Sequence, residues 1–160
     1  MREALGVQAR LREDRQALVR AAAAALAHTL ESGKGYPALD VDRYFATRAA
    51  HLPASAPEPH ALAGVMYAAD AFADLERIYA GLEADDPTLA ANSVGLIGAA
   101  VRDLHEHPLL GRAAEEDLRE RVISRGRTGY VALYRHLELA GCVLIVAIRH
   151  RYAAGYPSTD

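Results

Sequence analysis

Residues 142–150, Cys-Val-Leu-Ile-Val-Ala-Ile-Arg-His, restrict the fold more than any other stretch of the chain. The apolar run is far too short to span a membrane and is the right length for a strand. Successive side chains on a strand alternate, so Cys142, Leu144, Val146 and Ile148 are predicted on one face and Val143, Ile145 and Ala147 on the other. Both faces are apolar and both must be covered. One helical hairpin shields only one face of an antiparallel sheet. The second cover has to come from elsewhere in the chain or from a second copy. The run then ends abruptly in Arg149-His150-Arg151, with Tyr156 close behind.

A chain of 160 residues, 51% of them apolar, has material for one packed domain or a small domain with an extension. A net charge of −3 argues against a general polyanion binder, so any nucleic-acid contact would need a local basic patch. The single cysteine, Cys142, rules out an internal disulfide framework and fits a reducing cytoplasm. Its place in the apolar run suits a small buried side chain better than a catalytic thiol. Met1-Arg2-Glu3 opens a charged amphipathic stretch, unlike a signal peptide. The expected location is cytoplasmic, with no membrane partner.

Residues 2–32 read as one helix, with Val7, Leu11, Leu18, Ala22, Leu26 and Leu30 in a stripe. Gly33-Lys34-Gly35 stops it. Asp40 or Asp42 is predicted to cap a short helix through Tyr44, Phe45 and Ala49. Pro53, Pro57 and Pro59 mark a linker over 51–60. Ala61 to Tyr67 is a predicted strand. A helix follows over 70–82, then Asp86-Pro87 starts another with Val94, Ile97, Val101 and Leu104 on one face. His105-Glu106-His107-Pro108 ends it. Leu118–Arg125, Tyr130–His136 and Cys142–His150 form a three-stranded meander, giving an α+β order of strand, helix, helix, meander.

With that order in place, "DLERIYAGLEADDPTLAAN", "LHEHPLLGR", "LRERVISRGRTGYVALYRH" and "VLIVAIRHRYAAGY" together resemble a ParE toxin of the RelE/ParE superfamily over residues 61–157. The resemblance implies a small α+β toxin domain over 61–160 and a role in a bacterial type II toxin–antitoxin module. ParE members are known for inhibiting DNA gyrase, and RelE members cut mRNA on the ribosome. "REAL", "LREDRQALVRAAAAALAHTLESG" and "LDVDRYFA" resemble the C-terminal half of a ParD antitoxin over residues 2–50. The ribbon-helix-helix part of such antitoxins has no counterpart in the chain, so no direct DNA binding is expected. The resemblance implies that Leu11, Leu18, Leu26, Leu30, Tyr44 and Phe45 contact the toxin sheet, in cis or by swapping into a homodimer.

Arg119, Arg121, Arg125, Arg127, Arg149 and Arg151 are the candidate grip on an anionic target surface. The competing reading pairs them with Glu116, Glu120 or acids of the N-terminal segment. A ribonuclease of the RelE kind activates a 2′-hydroxyl and stabilises a crowded phosphate. Such toxins use Lys, Arg and a C-terminal Tyr. Arg149, His150 and Tyr156 could nominally serve, but Lys34 is the one lysine and lies in the antitoxin-like part. Binding is therefore expected rather than catalysis. Neither a metal nor a cofactor is expected: His105 and His107, two apart at a helix end, point to different sides. Asp70, Asp74, Asp85 and Asp86 read as caps and solvated helix faces, and Tyr130 and Tyr134 as core. Three functions stay open: a gyrase inhibitor held by its own antitoxin segment, a ribosome-dependent mRNA endoribonuclease, and a permanently self-inhibited fusion.

Overall fold

The computed structural model of the chain describes residues 2–125 and 128–151. Helix α1 (Arg2–Ser32) ends where Gly33 turns left-handed, at φ +69°, and donates its N–H to the Thr29 carbonyl. Strand β1 (Lys34–Pro37) and helix α2 (Ala38–Ala49) complete the first part of the chain. After the proline-rich stretch come β2 (His60–Ala61), β3 (Gly64–Tyr67), α3 (Ala69–Glu83) and α4 (Pro87–Glu106). Then come the two-residue strand β4 (Arg112–Ala113), β5 (Arg119–Arg125), β6 (Thr128–Leu137) and β7 (Cys142–His150). Among the described residues the strands form one sheet in the order β2-β1-β3-β7-β6-β5-β4, with β3 and β7 parallel and every other pair antiparallel. The expected strand, helix, helix, meander order is present as β3, α3, α4 and β5–β7.

The sheet lies between two apolar layers. On one side α2, α3 and α4 pack Phe45, Leu75, Tyr79, Val94, Ile97, Val101 and Leu104 against Tyr67, Tyr130, Tyr134, Val143, Ile145 and Ile148. On the other side α1 lays Leu18, Ala22, Ala25 and Leu26 against Met66, Leu118, Val131, Leu133, Cys142, Leu144, Val146 and Ala147. The second cover thus comes from α1 of the same chain. Helix α2 goes to the opposite face from α1, joining the α3–α4 hairpin.

Three expectations are corrected. First, Ile148 does not share a face with Cys142, Leu144 and Val146. Leu133 pairs with Ala147 and Tyr134 with Ile145, so Val146 is an extra residue in β7. That bulge leaves Val146 and Ala147 both facing α1 and rotates Ile148 to the other side. Second, neither Asp40 nor Asp42 caps α2. The helix starts straight after Pro37, whose φ of −56° is already helical, and no side chain caps it. Third, the predicted strand over 61–67 is two strands. The chain crosses from one edge of β1 to the other over residues 62–64, with Gly64 at φ +63°, so that β2 and β3 run in the same direction, each antiparallel to β1 on opposite edges. Lys34–Pro37, read as a simple helix stop, is thereby held in the sheet between them.

The α1 stripe also drifts. Each four-residue step overshoots a full turn by about 40°, so Leu30 sits about 120° around the helix from Leu18. Leu18, Ala22, Ala25, Leu26 and Thr29 are buried, while Val7 and Leu30 are close to half exposed. Thr29 satisfies its hydroxyl by donating to the Ala25 carbonyl at 2.8 Å. Truncating Leu26 to Ala should therefore cost about 2–3 kcal/mol, and Leu30→Ala less than about 0.5 kcal/mol. Urea unfolding of the two variants checks this; equal losses would mean that the drift is wrong.

Candidate functional site

The strand alternation of β5 sends its charged residues in two directions. Glu120 lies on the α1 side with Leu118, whereas Arg119 and Arg121 lie on the other side with Ile123. Arg119 turns to the loop after α4, donating to the carbonyls of Gly111 at 2.7 Å and Leu109 at 3.4 Å. Tyr134 pins the same loop: its buried hydroxyl donates to the Pro108 carbonyl and accepts from the Gly111 N–H. A Cβ at Gly111 would lie 2.7 Å from that hydroxyl, so glycine is required there. Arg121 faces Asp103 of α4 at 3.7 Å. Tyr130 and Tyr134 are core, as their spacing predicted, and His150 stands edge-on to the Tyr130 ring.

Arg149 does not stand free at the strand tip. Its guanidinium pairs with Asp74 of α3, which also holds Arg77 and accepts the Ile148 N–H at 2.9 Å. Asp74 is 3% exposed, so the reading of it as a solvated face is overturned. Its place follows from the length of β3. That strand pairs with β7 only as far as Ile145. Beyond it the edge of β7 still presents the Ile148 amide, and a carboxylate from the next helix meets it. Burial pushes the Asp74 carboxyl upward, against the Ile148 amide, Arg149 and Arg77, which all favour the anion. Burial likewise pushes the Cys142 thiol up to about 11, leaving it protonated at neutral pH. Arg151 closes the end of the hairpin through its N–H on the Gly129 carbonyl. Arg125 is the last residue of β5; Arg127 and Tyr156 lie outside the described residues. Of the candidate arginines whose side chains are described, Arg119 turns to the Gly111 carbonyl, Arg121 to Asp103 and Arg149 to Asp74, three different partners.

The first part of the chain makes the other concentration of specific contacts. Arg15 of α1 reaches Glu115 at 2.9 Å and Glu120 at 2.7 Å. Glu120 is 4% exposed, and its second oxygen accepts from Arg112 of β4 at 2.7 Å. A hydrogen bond from its own backbone and another from Arg15 hold the Glu115 carboxyl below its ordinary value of 4.5. Leu18 and Leu26 are buried against the sheet, Leu11 is half-buried and Leu30 is exposed. Phe45 is buried on the opposite face, where it and Tyr44 meet the Phe72 ring. Arg48 lies 4.5 Å from the Tyr79 ring centre and pairs with Glu83 at 3.1 Å. Asp42 pairs with Arg102 of α4 at 2.6 Å, an approach that Gly98 permits. Sequence reasoning missed Arg15, Arg48, Asp74 and Arg112. Among the described residues no three His, Cys, Asp or Glu side chains are grouped to hold a metal, and no helix is long and apolar enough to cross a membrane.

The model of the family described as the ParE toxin of the type II toxin–antitoxin system, parDE, matches residues 65–153, more than half of the chain. The chain belongs to the ParE toxin family. The matched residues run from β3 to just past β7, and α1, β1 and α2 all precede them. No curated protein matches the chain significantly. Among solved structures, it is similar to a chain of the chromosomal ParDE toxin–antitoxin system from P. aeruginosa. Identity there is 22% and the TM-score 0.47, over 56% of this chain and 96% of that one. It is also similar to a chain of the RelBE2 toxin–antitoxin complex from Mycobacterium tuberculosis. Identity there is 24% and the TM-score 0.39, over 57% of this chain and 93% of that one.

Removing Asp74 from the ParE body would strip the Ile148 amide and two arginines of a buried partner. Asp74→Ala is expected to destabilise the chain by about 3 kcal/mol, read by chemical denaturation; a loss under about 1 kcal/mol would show that the carboxylate matters little. Glu115 makes a pH prediction. Its folded pKa is depressed, so its contribution is complete above the ordinary value of 4.5 and is lost as pH falls below it. Stability measured against pH should decline less steeply below 4.5 in Glu115→Gln than in the parent, and coinciding slopes would contradict the assignment.

Proposed function

We propose that this ParE-family toxin is held inactive by its own first 50 residues, a ParD-like segment, and that DNA gyrase is the target it meets when that segment is displaced. The observation that carries the reading is the position of β1, laced between β2 and β3, with α1 filling the sheet face that the α3–α4 hairpin leaves bare. A neutralising segment needs that kind of hold: apolar cover, a backbone ladder and paired charges in one piece. The proline-rich stretch supplies the tether. A short tether keeps the segment at roughly millimolar effective concentration, which favours the inactive form. Release would follow only from cutting the tether, unfolding the segment or competition by a second copy.

Target binding is favoured over mRNA cleavage because Arg149 is engaged by Asp74 and Lys34, the lone lysine, belongs to β1. The segment's own paired charges, Arg15 with Glu120 and Asp42 with Arg102, support a fitted cover.

The test is gyrase supercoiling with a chain carrying a specific protease site between residues 53 and 59. The intact chain should leave supercoiling unaffected. The cut chain, diluted until the segment dissociates, should inhibit it, and excess segment of residues 1–50 should restore it. Supercoiling indifferent to the cut and diluted chain would sink the gyrase reading and make ribosome-dependent mRNA cleavage the next assay. Growth that stays normal on cutting the chain in cells would point to a permanently self-inhibited fusion.

A further inference from the structure

Where α1 packs over β5 and β6, the described face of the sheet is largely apolar. Leu118, Val131 and Leu133 are buried there, and Glu120 is buried among them with its carboxylate. Of its two oxygens, one accepts from Arg112 on the neighbouring strand and the other from Arg15 on α1. The Arg15 fork reaches further, with its other edge on Glu115 just before β5. One guanidinium thus joins two carboxylates from different segments, a geometry that a lysine ammonium cannot reproduce. Arg15 precedes Leu18 by three residues, so one helical turn places the cation and the start of the apolar stripe on the same face.

We propose that Glu120 is a selectivity socket: the toxin sheet accepts amphipathic helices that carry an arginine one turn ahead of their apolar stripe, and rejects those that do not. The proposal rests on the reading of residues 1–50 as a neutralising segment and says which helices can do that work. The apolar part of α1 is generic, since Leu18, Ala22, Ala25 and Leu26 would fit many helices. The carboxylate is not generic. A helix without a cation at this position would cover Glu120 and replace the Arg15 guanidinium with apolar atoms, leaving Arg112 to compensate the carboxylate from the sheet side, and that cost falls on the wrong partner alone. With no helix present the carboxylate is open to water. The socket thus discriminates between partners without burdening the uncovered toxin.

The test uses the full chain with the protease site in the 53–59 stretch, cut but not separated. Loss of the first segment to excess labelled segment is followed by fluorescence. Arg15→Ala should accelerate that loss about thirtyfold, and Arg15→Lys by a smaller factor. In a Glu120→Gln background the effect of Arg15→Ala should shrink to within about threefold. Equal effects in the two backgrounds would overturn the socket. If Glu120→Gln does not fold, Arg15→Met decides instead: it keeps an apolar stem without the charge, and a loss rate within about threefold of the parent would overturn the proposal. The readout does not involve gyrase. A chain that leaves gyrase alone yet shows the coupling supports the socket and removes only the target assignment. A chain that inhibits gyrase but holds its segment equally well without Arg15 removes only the socket.

Discussion

A strand buried on both faces has no access to water, so each of its polar backbone groups needs a partner within the protein. β7 imposes that condition on the rest of the molecule. Its inner edge is met along its whole length by β6, but its outer edge is met by β3 only up to Ile145. From there the chain turns into α3: the Ala68 N–H donates to the Ile145 carbonyl, and Asp74 then accepts the Ile148 N–H. The carboxylate continues the edge that the strand abandons. Arg149 and Arg77 are drawn in because that anion is buried and needs compensation. The basic tip of β7 is thus tied to its own helix before any partner arrives.

The two apolar layers differ in how they are assembled. The α2–α3–α4 side is dense and aromatic, with Tyr36, Tyr44, Phe45, Phe72 and Tyr79 in successive ring contacts. The α1 side is made of small residues, Ala22 and Ala25 between two leucines, which let the helix axis approach the sheet but offer few large contacts. Charge supplements that thinner layer through Arg15, Glu115 and Glu120. The first part of the chain is thereby anchored at three separated places: the face under α1, the ladder of β1, and the aromatic corner under α2.

The sequence makes some of this visible and hides the rest for definite reasons. An unbroken apolar run, a stripe at helical spacing in α4, and Asp86-Pro87 at its start are local signals, and the structure follows them, down to Asp86 accepting the Leu89 N–H. β1, β2 and β4 carry no local signal: two to four residues, with Gly35 and Pro37 inside β1, become strands only because a neighbouring edge waits for them. The bulge at Val146 is invisible for a similar reason, since it depends on register with β6. Asp74 reads as a solvated charge because charged residues usually are, and Glu120 reads as a partner for the candidate arginines at the strand ends. For Glu120 a clue was present in the alternation Leu118, Glu120, Val122, which puts a carboxylate on the apolar face of β5. Its partner on α1 lies 105 residues away in the chain, beyond the reach of any local pattern.

The placement of β7 at the end of the described chain has a consequence for biosynthesis. Ribosomes release a chain from its N-terminus, and segments begin to fold as they emerge. α1, β1 and α2 leave the tunnel first, followed by β3 and the helical hairpin. The strand on which the sheet is centred comes last. No moment in translation therefore presents a completed sheet whose covering helix has yet to be made. The order of the elements along the chain makes the cover older than the surface it hides.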